Sequence, residues 1–169
     1  MKRPTPPIEW AEDHIRIIDQ TLLPAEVRVI EIRSADQAVD AIQRLAIRGA
    51  PALGAFGSFA LIIAVDEIKP ESLSQALARL EECRNLIGDA RPTAVNLRWA
   101  VDRVIDEATK NVDDLVSLRS SLIREAQAVA AEDEAACNEI GRLGHELLRD
   151  ANVIGTHCNA GRLATAGTG

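Results

Sequence analysis

The sequence predicts an α+β fold, mainly helical, with a small antiparallel β-hairpin or sheet at its start. Three observations carry this. Two β-branched runs sit early, Ile15 to Ile18 and Val27 to Ile32, and helical periodicity then continues from Ser34 to about Asp150. Apolar residues make up 47% of the chain, yet there are only two Trp, two Phe and no Tyr. A core so poor in aromatics must be aliphatic, and that suits helix-on-helix packing better than a sandwich.

The two β-branched runs read as strands of an antiparallel hairpin, with Asp19 to Pro24 as the turn. A two-stranded hairpin needs a surface to pack on. Ser34 with Gln37 three residues later is a capping box, so a helix begins there. Ala38, Ala41, Ile42 and Leu45 share one face of it. It is expected to end near Ile47, because Gly49 and Pro51 follow.

Pro51 suits the first position of a second helix, where its lacking N–H costs nothing. That helix is expected to run to about Asp66. It is apolar nearly all round, so it should be the buried central helix. The uncharged run from Gly49 to Val65, 17 residues long, lies at the lower edge of a membrane span. Pro51, Gly54, Gly57 and Ser58 favour a close-packed core helix over insertion.

A third, amphipathic helix starts at Pro70 to Leu73 and turns Leu73, Leu77, Leu80 and Ile87 inward, until Gly88 breaks it. Arg91-Pro92 then reads as a second arginine placed just before a proline-started helix. That fourth helix carries Val95, Leu97, Trp99, Val101, Val104 and Ile105. From Asp113 and Asp114 to about Asp150 the pattern is helical throughout. Its length predicts a break, with Gly141 to Gly144 as the candidate. Val153 and Ile154 then read as a short buried strand running into a loop of Gly, Asn and Thr around Cys158. The division expected is residues 1–150 as a helical domain with the hairpin, and 151–169 as the opening of a second, α/β domain.

The net charge of −7 argues against a general nucleic-acid or membrane-surface binder. It leaves room for a small anionic ligand. Three widely spaced cysteines, Cys83, Cys137 and Cys158, have no metal-ligand spacing, so a zinc site is not expected; no cofactor is expected either. They read as reduced thiols in a cytoplasm. Met1 to Pro7 contains no apolar stretch of the signal-peptide kind.

A helix start offers free N–H groups and a partial positive charge, and a guanidinium beside it makes a seat for phosphate. Arg48, Gly49 and Ala50 form one such seat and Arg91 another. The alternative is that both arginines cap carbonyls or pair with surface acids. Cys158 lies among backbone amides close to a helix start, a setting that activates a thiol. The alternative is an inert cysteine, the reading preferred for Cys83 and Cys137. His157 points away from its neighbour in an extended segment and is expected to anchor the loop. The acids Glu132 to Glu134 read as a solvated face, with Asp133 able to brace a neighbouring loop.

Four stretches occur together and in order: Asp19 to Pro24 (DQTLLP), Ile47 to Gly54 (IRGAPALG), Arg91 to Leu97 (RPTAVNL) and Thr156 to Gly161 (THCNAG). On these the chain resembles, over nearly its whole length, the family shared by methylthioribose-1-phosphate isomerases and the α, β and δ regulatory subunits of translation initiation factor 2B. The resemblance implies an aldose–ketose isomerase of methionine salvage, acting on 5-methylthioribose 1-phosphate. It implies a helical N-terminal domain followed by a Rossmann-like domain, in a homodimer. It places phosphate and sugar contacts on Arg48, Gly49, Ala50 and Arg91, and the active-site cysteine on Cys158. The family's acid/base aspartate and an Asn-Lys pair fall beyond residue 169. The chain therefore reads as a fragment, inactive alone, with only the first strand and loop of the Rossmann-like domain. Two alternatives stand beside this: an isomerase of ribose 1,5-bisphosphate or 5-deoxyribose 1-phosphate, or a non-catalytic regulatory subunit.

Overall fold

A computed structural model describes residues 5–169. The predicted hairpin gains a third strand. β1 (Ile8–Trp10), β2 (Ile15–Ile18) and β3 (Val29–Ile32) form an antiparallel sheet in the order β1-β2-β3. Ile17 pairs with Ile8 on one side and Ile30 on the other. Three residues at β1 were too short a run to show a period. Ile15, Ile17 and Ile32 are buried against the helices, and Trp10 stacks on Phe59 with ring centroids 5.5 Å apart. That contact supplies the surface the sheet needs.

The loop between β2 and β3 holds a 3-10 turn, Gln20–Leu22. Asp19 caps it, accepting from the Thr21 N–H and hydroxyl at 3.1 and 2.7 Å. Arg44 donates to the other carboxylate oxygen at 2.8 Å. Helix α1 (Ala35–Gln43) starts at Ser34, whose hydroxyl accepts from the Gln37 N–H as the capping box requires. It ends before the expected Ile47, because Leu45 takes a φ of 66° and turns the chain. The turn sends Ala46 and Ile47 into the core instead of extending the helix.

Helix α2 (Ala50–Glu67) is the axis of the fold, and every residue from Ala52 to Val65 is buried. It is long and apolar enough to cross a membrane by length and composition alone, but 78% of it is buried inside the chain. Sheet and helices cover it on all sides, as befits a core helix. Its glycines set the distance to α4 (Val95–Ala108). A Cβ at Gly57 would lie 2.5 Å from Leu97 Cδ1, and one at Gly54 would lie 3.2 Å from the Asn96 carbonyl oxygen. The first turns of α2 and α4 are thus pressed together. Helix α3 (Leu73–Gly88), capped by Ser72, buries Ala76, Leu80, Cys83 and Ile87 against them.

Two expectations fail near α4 and after it. Pro92 does not start a helix. Arg91 to Ala94 form a turn closed by the Ala94 N–H on the Arg91 carbonyl at 2.9 Å, with Pro92 in the position that suits its fixed φ. And α5 (Leu115–Leu147) runs unbroken for 33 residues, capped by Asp114 and Ser117. Gly141 and Gly144 face open space, so no neighbour forces a bend there. Only the first half of α5 is packed into the core, ending at Val129. Beyond it Ile140, Leu143 and Leu147 are exposed.

The strand expected at Val153 and Ile154 is absent. Both side chains are exposed, at 89% and 64%. A strand needs a neighbour to complete its hydrogen bonds, and among the described residues none lies beside this segment. After it comes a single 3-10 turn, Arg162–Ala164, in place of the longer helix start expected.

Candidate functional site

Three separate stretches of chain converge at the start of α2. The Gln20 N–H donates to the Ala46 carbonyl at 2.9 Å, fixing the β2–β3 loop on the connection that leads to Arg48. The Gln20 side chain then works in two directions. Its Nε2 donates to the Leu163 carbonyl at 2.8 Å. Its Oε1 accepts from Arg48 Nε at 3.4 Å. Gln20 so links the Arg48 guanidinium to the segment that follows Cys158. Between them lies a cleft of about 100 Å³, lined by Gln20, Arg48, Asn159, Ala160, Leu163 and Ala164.

Gly49 caps α2 with a φ of 100°, in the region that favours glycine. It is required for a second reason. A Cβ there would lie 2.4 Å from Ala164 Cα, so the loop after Cys158 rests directly on the glycine backbone. Ala50 is exposed as the first residue of α2, so the open first turn faces solvent beside Arg48. Helix N–H groups, a macrodipole and a guanidinium are thereby gathered at one point.

The far side of the loop is braced by α5. The Ala166 N–H donates to Asp133 Oδ2 at 2.7 Å, and the Thr168 hydroxyl donates to Asn138 Oδ1 at 2.9 Å. Asp133 therefore has the bracing role that its place among the acids suggested. The acids beside it are not merely solvated: Glu132 receives two hydrogen bonds from Arg103, at 2.5 and 2.6 Å. Those bonds hold its carboxyl below the usual range.

The predicted site residues come together only in part. Arg48, Gly49 and Ala50 adjoin the cleft. Cys158 is exposed, with a φ of 64°, next to Asn159 and Ala160, which line it, but it does not line the cleft itself. Arg91 stands in the turn before α4, half-buried and outside that lining. Both arginines share one property. Arg44, Arg84, Arg98 and Arg103 each grip carboxylates. Arg48 and Arg91 hold no carboxylate among the described residues. The surface-acid alternative for these two arginines thus finds no support. His157 is exposed, and among the described residues only its carbonyl is bonded, so it does not anchor the loop there. That task falls to Gln20, which sequence reasoning had treated as part of a turn. The signal was its place inside DQTLLP, one of the four ordered stretches.

Residues 46–166 match the Initiation factor 2 subunit family. The 5-deoxyribose 1-phosphate isomerase of Moorella thermoacetica is 42% identical over 98% of this chain and 48% of its own length. The methylthioribose-1-phosphate isomerase of Desulforudis audaxviator is 42% identical over 98% of this chain and 47% of its own. Among solved structures, the translation initiation factor eIF-2B subunit delta from A. fulgidus superposes with a TM-score of 0.88 at 36% identity, covering 97% of this chain and 48% of that one. The chain thus spans about half the length of the relatives it matches. A match across most of the chain, with relatives well above 30% identity, places it: this chain belongs to the Initiation factor 2 subunit family.

Proposed function

We propose that this chain supplies the phosphate-binding half of an aldose–ketose isomerase that converts 5-methylthioribose 1-phosphate to 5-methylthioribulose 1-phosphate. The observation that carries the reading is the meeting of Arg48, Gly49 and Ala50 with the Cys158 loop at the start of α2. A guanidinium that holds no carboxylate among the described residues, beside free helix N–H groups, suits a sugar phosphate.

The reaction is an internal redox exchange. The ring C1–O bond opens and its oxygen takes up a proton as the C4 hydroxyl. One hydrogen leaves C2 and arrives at C1. The C2 hydroxyl gives up its proton to become the ketone, so no proton is gained or lost overall. Phosphate on the anomeric oxygen closes the ordinary route through a free aldehyde. Arg48, Gly49, Ala50 and Arg91 hold the phosphate and sugar in this reading, and Cys158 assists at the reacting carbons. The acid/base aspartate and an Asn-Lys pair come from a further part of the protein. That part is a Rossmann-like domain that residues 151–169 begin, with the complete enzyme a homodimer of the cytoplasm. The exposed apolar residues Ile140, Leu143, Leu147, Val153 and Ile154 suit cover by such a domain.

A second reading has its own support: the Moorella relative is named for 5-deoxyribose 1-phosphate. The same phosphate seat serves that substrate. The test has two arms. Inorganic phosphate titrated into the labelled chain is expected to shift the Gly49 and Ala50 amide signals, and Arg48→Ala to abolish the shift. Both sugar phosphates are then assayed for turnover with a protein of the relatives' full length, and with the 169-residue chain. Turnover is expected only in the longer protein. Unmoved amides, or turnover by the short chain, refute the proposal.

A further inference from the structure

The turn between β1 and β2 carries a group that the fold leaves incomplete. The His14 side chain is only 13% exposed. Its Nδ1 lies 2.6 Å from Asp13 Oδ1. Its Nε2 is sealed from solvent and, among the described residues, is the one buried side-chain nitrogen or oxygen without a hydrogen-bond partner. The group it faces is Glu31 on β3, at 3.6 Å, too far for a hydrogen bond. Arg33, just after β3, spans both acids, donating to Asp13 at 3.1 Å and to Glu31 at 3.0 Å. Along the same face of the sheet Arg16 pairs with Glu9. The other side of the turn is held by Arg119 of α5, which donates to the Glu12 carbonyl at 3.0 Å and pairs with Asp66 near the end of α2.

These contacts fix where the ring hydrogen sits. Hydrogen bonds from His14 and Arg33 hold the Asp13 carboxyl below its ordinary range, so it is ionised and can only accept. Nδ1 of His14 must therefore carry a hydrogen. In the neutral ring Nε2 is then a bare lone pair turned towards the Glu31 carboxylate. Two acceptors face each other in a place closed to water, an arrangement that costs free energy. In the imidazolium both nitrogens donate, and each has a carboxylate in front of it. The charges agree. Arg33 offsets one of the two acids, and a proton on His14 offsets the other.

We propose that His14 is a proton-operated clasp of the sheet: a proton on Nε2 ties the β1–β2 turn to β3, and its loss loosens the turn while leaving the Arg119 contact in place. The element it governs is small and defined. The Ala11 N–H donates to the His14 carbonyl at 2.9 Å, and the Asp13 N–H to the Ala11 carbonyl at 2.7 Å. Trp10, paired with Ile15 at the mouth of the turn, is the residue that stacks on Phe59 of α2. The proton adds a contact only when the turn is closed, so lowering the pH favours closing. The change falls between pH 8 and pH 5, the range in which histidine changes charge.

The chain has three histidines, and His145 and His157 are exposed, so they serve as internal references. Nitrogen–proton NMR of the chain, with the His14 ring assigned by His14→Gln, reads the tautomer. At pH 8 His14 is expected to carry its hydrogen on Nδ1, and at pH 5 on both nitrogens. Amide exchange at Ala11 reads the turn. Corrected for the intrinsic pH dependence of exchange, its protection should rise about two- to fivefold from pH 8 to pH 5. Glu31→Gln sets an amide donor near the bare nitrogen and should make protection equal at the two pH values. Arg33→Gln leaves both carboxylates to His14 and should enlarge the rise. A hydrogen on Nε2 at pH 8 overturns the clasp, because that nitrogen then donates without a further proton. A rise that survives Glu31→Gln overturns it too, because the response then lies elsewhere.

Discussion

Gly49 and Ala164 touch backbone to backbone, 115 residues apart in the chain, with no room for a Cβ between them. The helix that offers its N-terminus and the loop that follows Cys158 are in register because of that contact. Gly49→Ala meets two penalties. The φ of 100° is poorly accessible to other residues, and the new methyl would fall 2.4 Å from Ala164 Cα. The expected loss is about 2–4 kcal/mol, unless the loop after Cys158 moves off α2. Denaturant unfolding measures the first outcome. Faster hydrogen exchange at Ala164 and Ala166 measures the second. In either case phosphate binding at Arg48 should weaken, and unchanged stability, exchange and binding together would refute the role given to Gly49.

Gln20→Ala tests the other support of the loop. The substitution frees the Leu163 carbonyl and releases Arg48 from its one side-chain partner among the described residues. The Leu163 bond joins neutral groups and its loss should cost about 1 kcal/mol, while the Arg48 contact, at 3.4 Å, is long and adds little. Gln20→Glu separates the two functions. It keeps an acceptor for Arg48 but removes the donor to Leu163. Exchange at residues 162–166 should rise in both variants, and phosphate affinity should fall further in Gln20→Glu, because the new carboxylate occupies the guanidinium. Equal phosphate affinity in the two would show that Arg48 does not hold the anion.

The secondary structure was legible where one local signal decided it. Ser34 with Gln37, Pro51 at the start of α2, and the all-apolar run behind it each specified a helix that the structure contains. Errors arose where tertiary context decides. Pro92 fits a helix start and a turn equally well, and its neighbours chose the turn. Gly141 and Gly144 weaken a helix only where something presses on it, and nothing does. Val153 and Ile154 have a strand's composition without a partner strand. The place of Arg48 and Gly49 at the start of α2 was legible, because a proline-started helix is a local signal. Gln20 was not, since its value comes from a hydrogen bond to Leu163, 143 residues away.

Asp133 holds the far side of the loop by accepting from the Ala166 N–H at 2.7 Å. Asp133→Ala leaves that half-buried amide without its partner and is expected to cost about 1–2 kcal/mol. Asp133→Asn retains a carbonyl acceptor and should recover most of the loss, because the bond needs an acceptor more than a charge. Thermal unfolding compares the two. If Asn is as damaging as Ala, the carboxylate charge matters and the hydrogen-bond account is wrong.

Asp19 gives the fold an acid-sensitive contact. Burial alone would push its carboxyl up, but the hydrogen bonds from Thr21 and Arg44 outweigh burial and hold it below its ordinary value. The folded state thus binds the proton less readily than the unfolded chain. Stability from this group is complete well above pH 4 and declines as pH falls through the folded value. Asp19→Asn should be less stable than the parent at pH 7, by roughly 1–3 kcal/mol. The two should converge as the pH approaches 2. A difference that stays constant from pH 7 to 2 would exclude the ionised carboxylate as its source.

The three thiols occupy three environments, and their chemistry should follow. Cys158 is exposed, Cys137 is intermediate, and Cys83 is buried. The thiolate is the reacting form, so both access and pKa control the rate. Burial in the α2, α3 and α4 core pushes the Cys83 thiol up to about 11, with the nearby Arg79 only partly offsetting it. With a chromogenic disulfide at pH 8, Cys158 should react first, Cys137 more slowly, and Cys83 only at the rate of global unfolding. Cys158→Ser should remove the fast phase alone. The same burial predicts an alkaline limb in stability. The unfolded thiol gives up its proton near its ordinary value, while the folded one keeps it to about 11. Raising pH across that window therefore favours the unfolded chain. Cys83→Ala should flatten the limb while leaving the fast Cys158 phase intact. A fast phase that disappears with Cys83→Ala instead of Cys158→Ser would place the reactive thiol in the core and overturn the assignment.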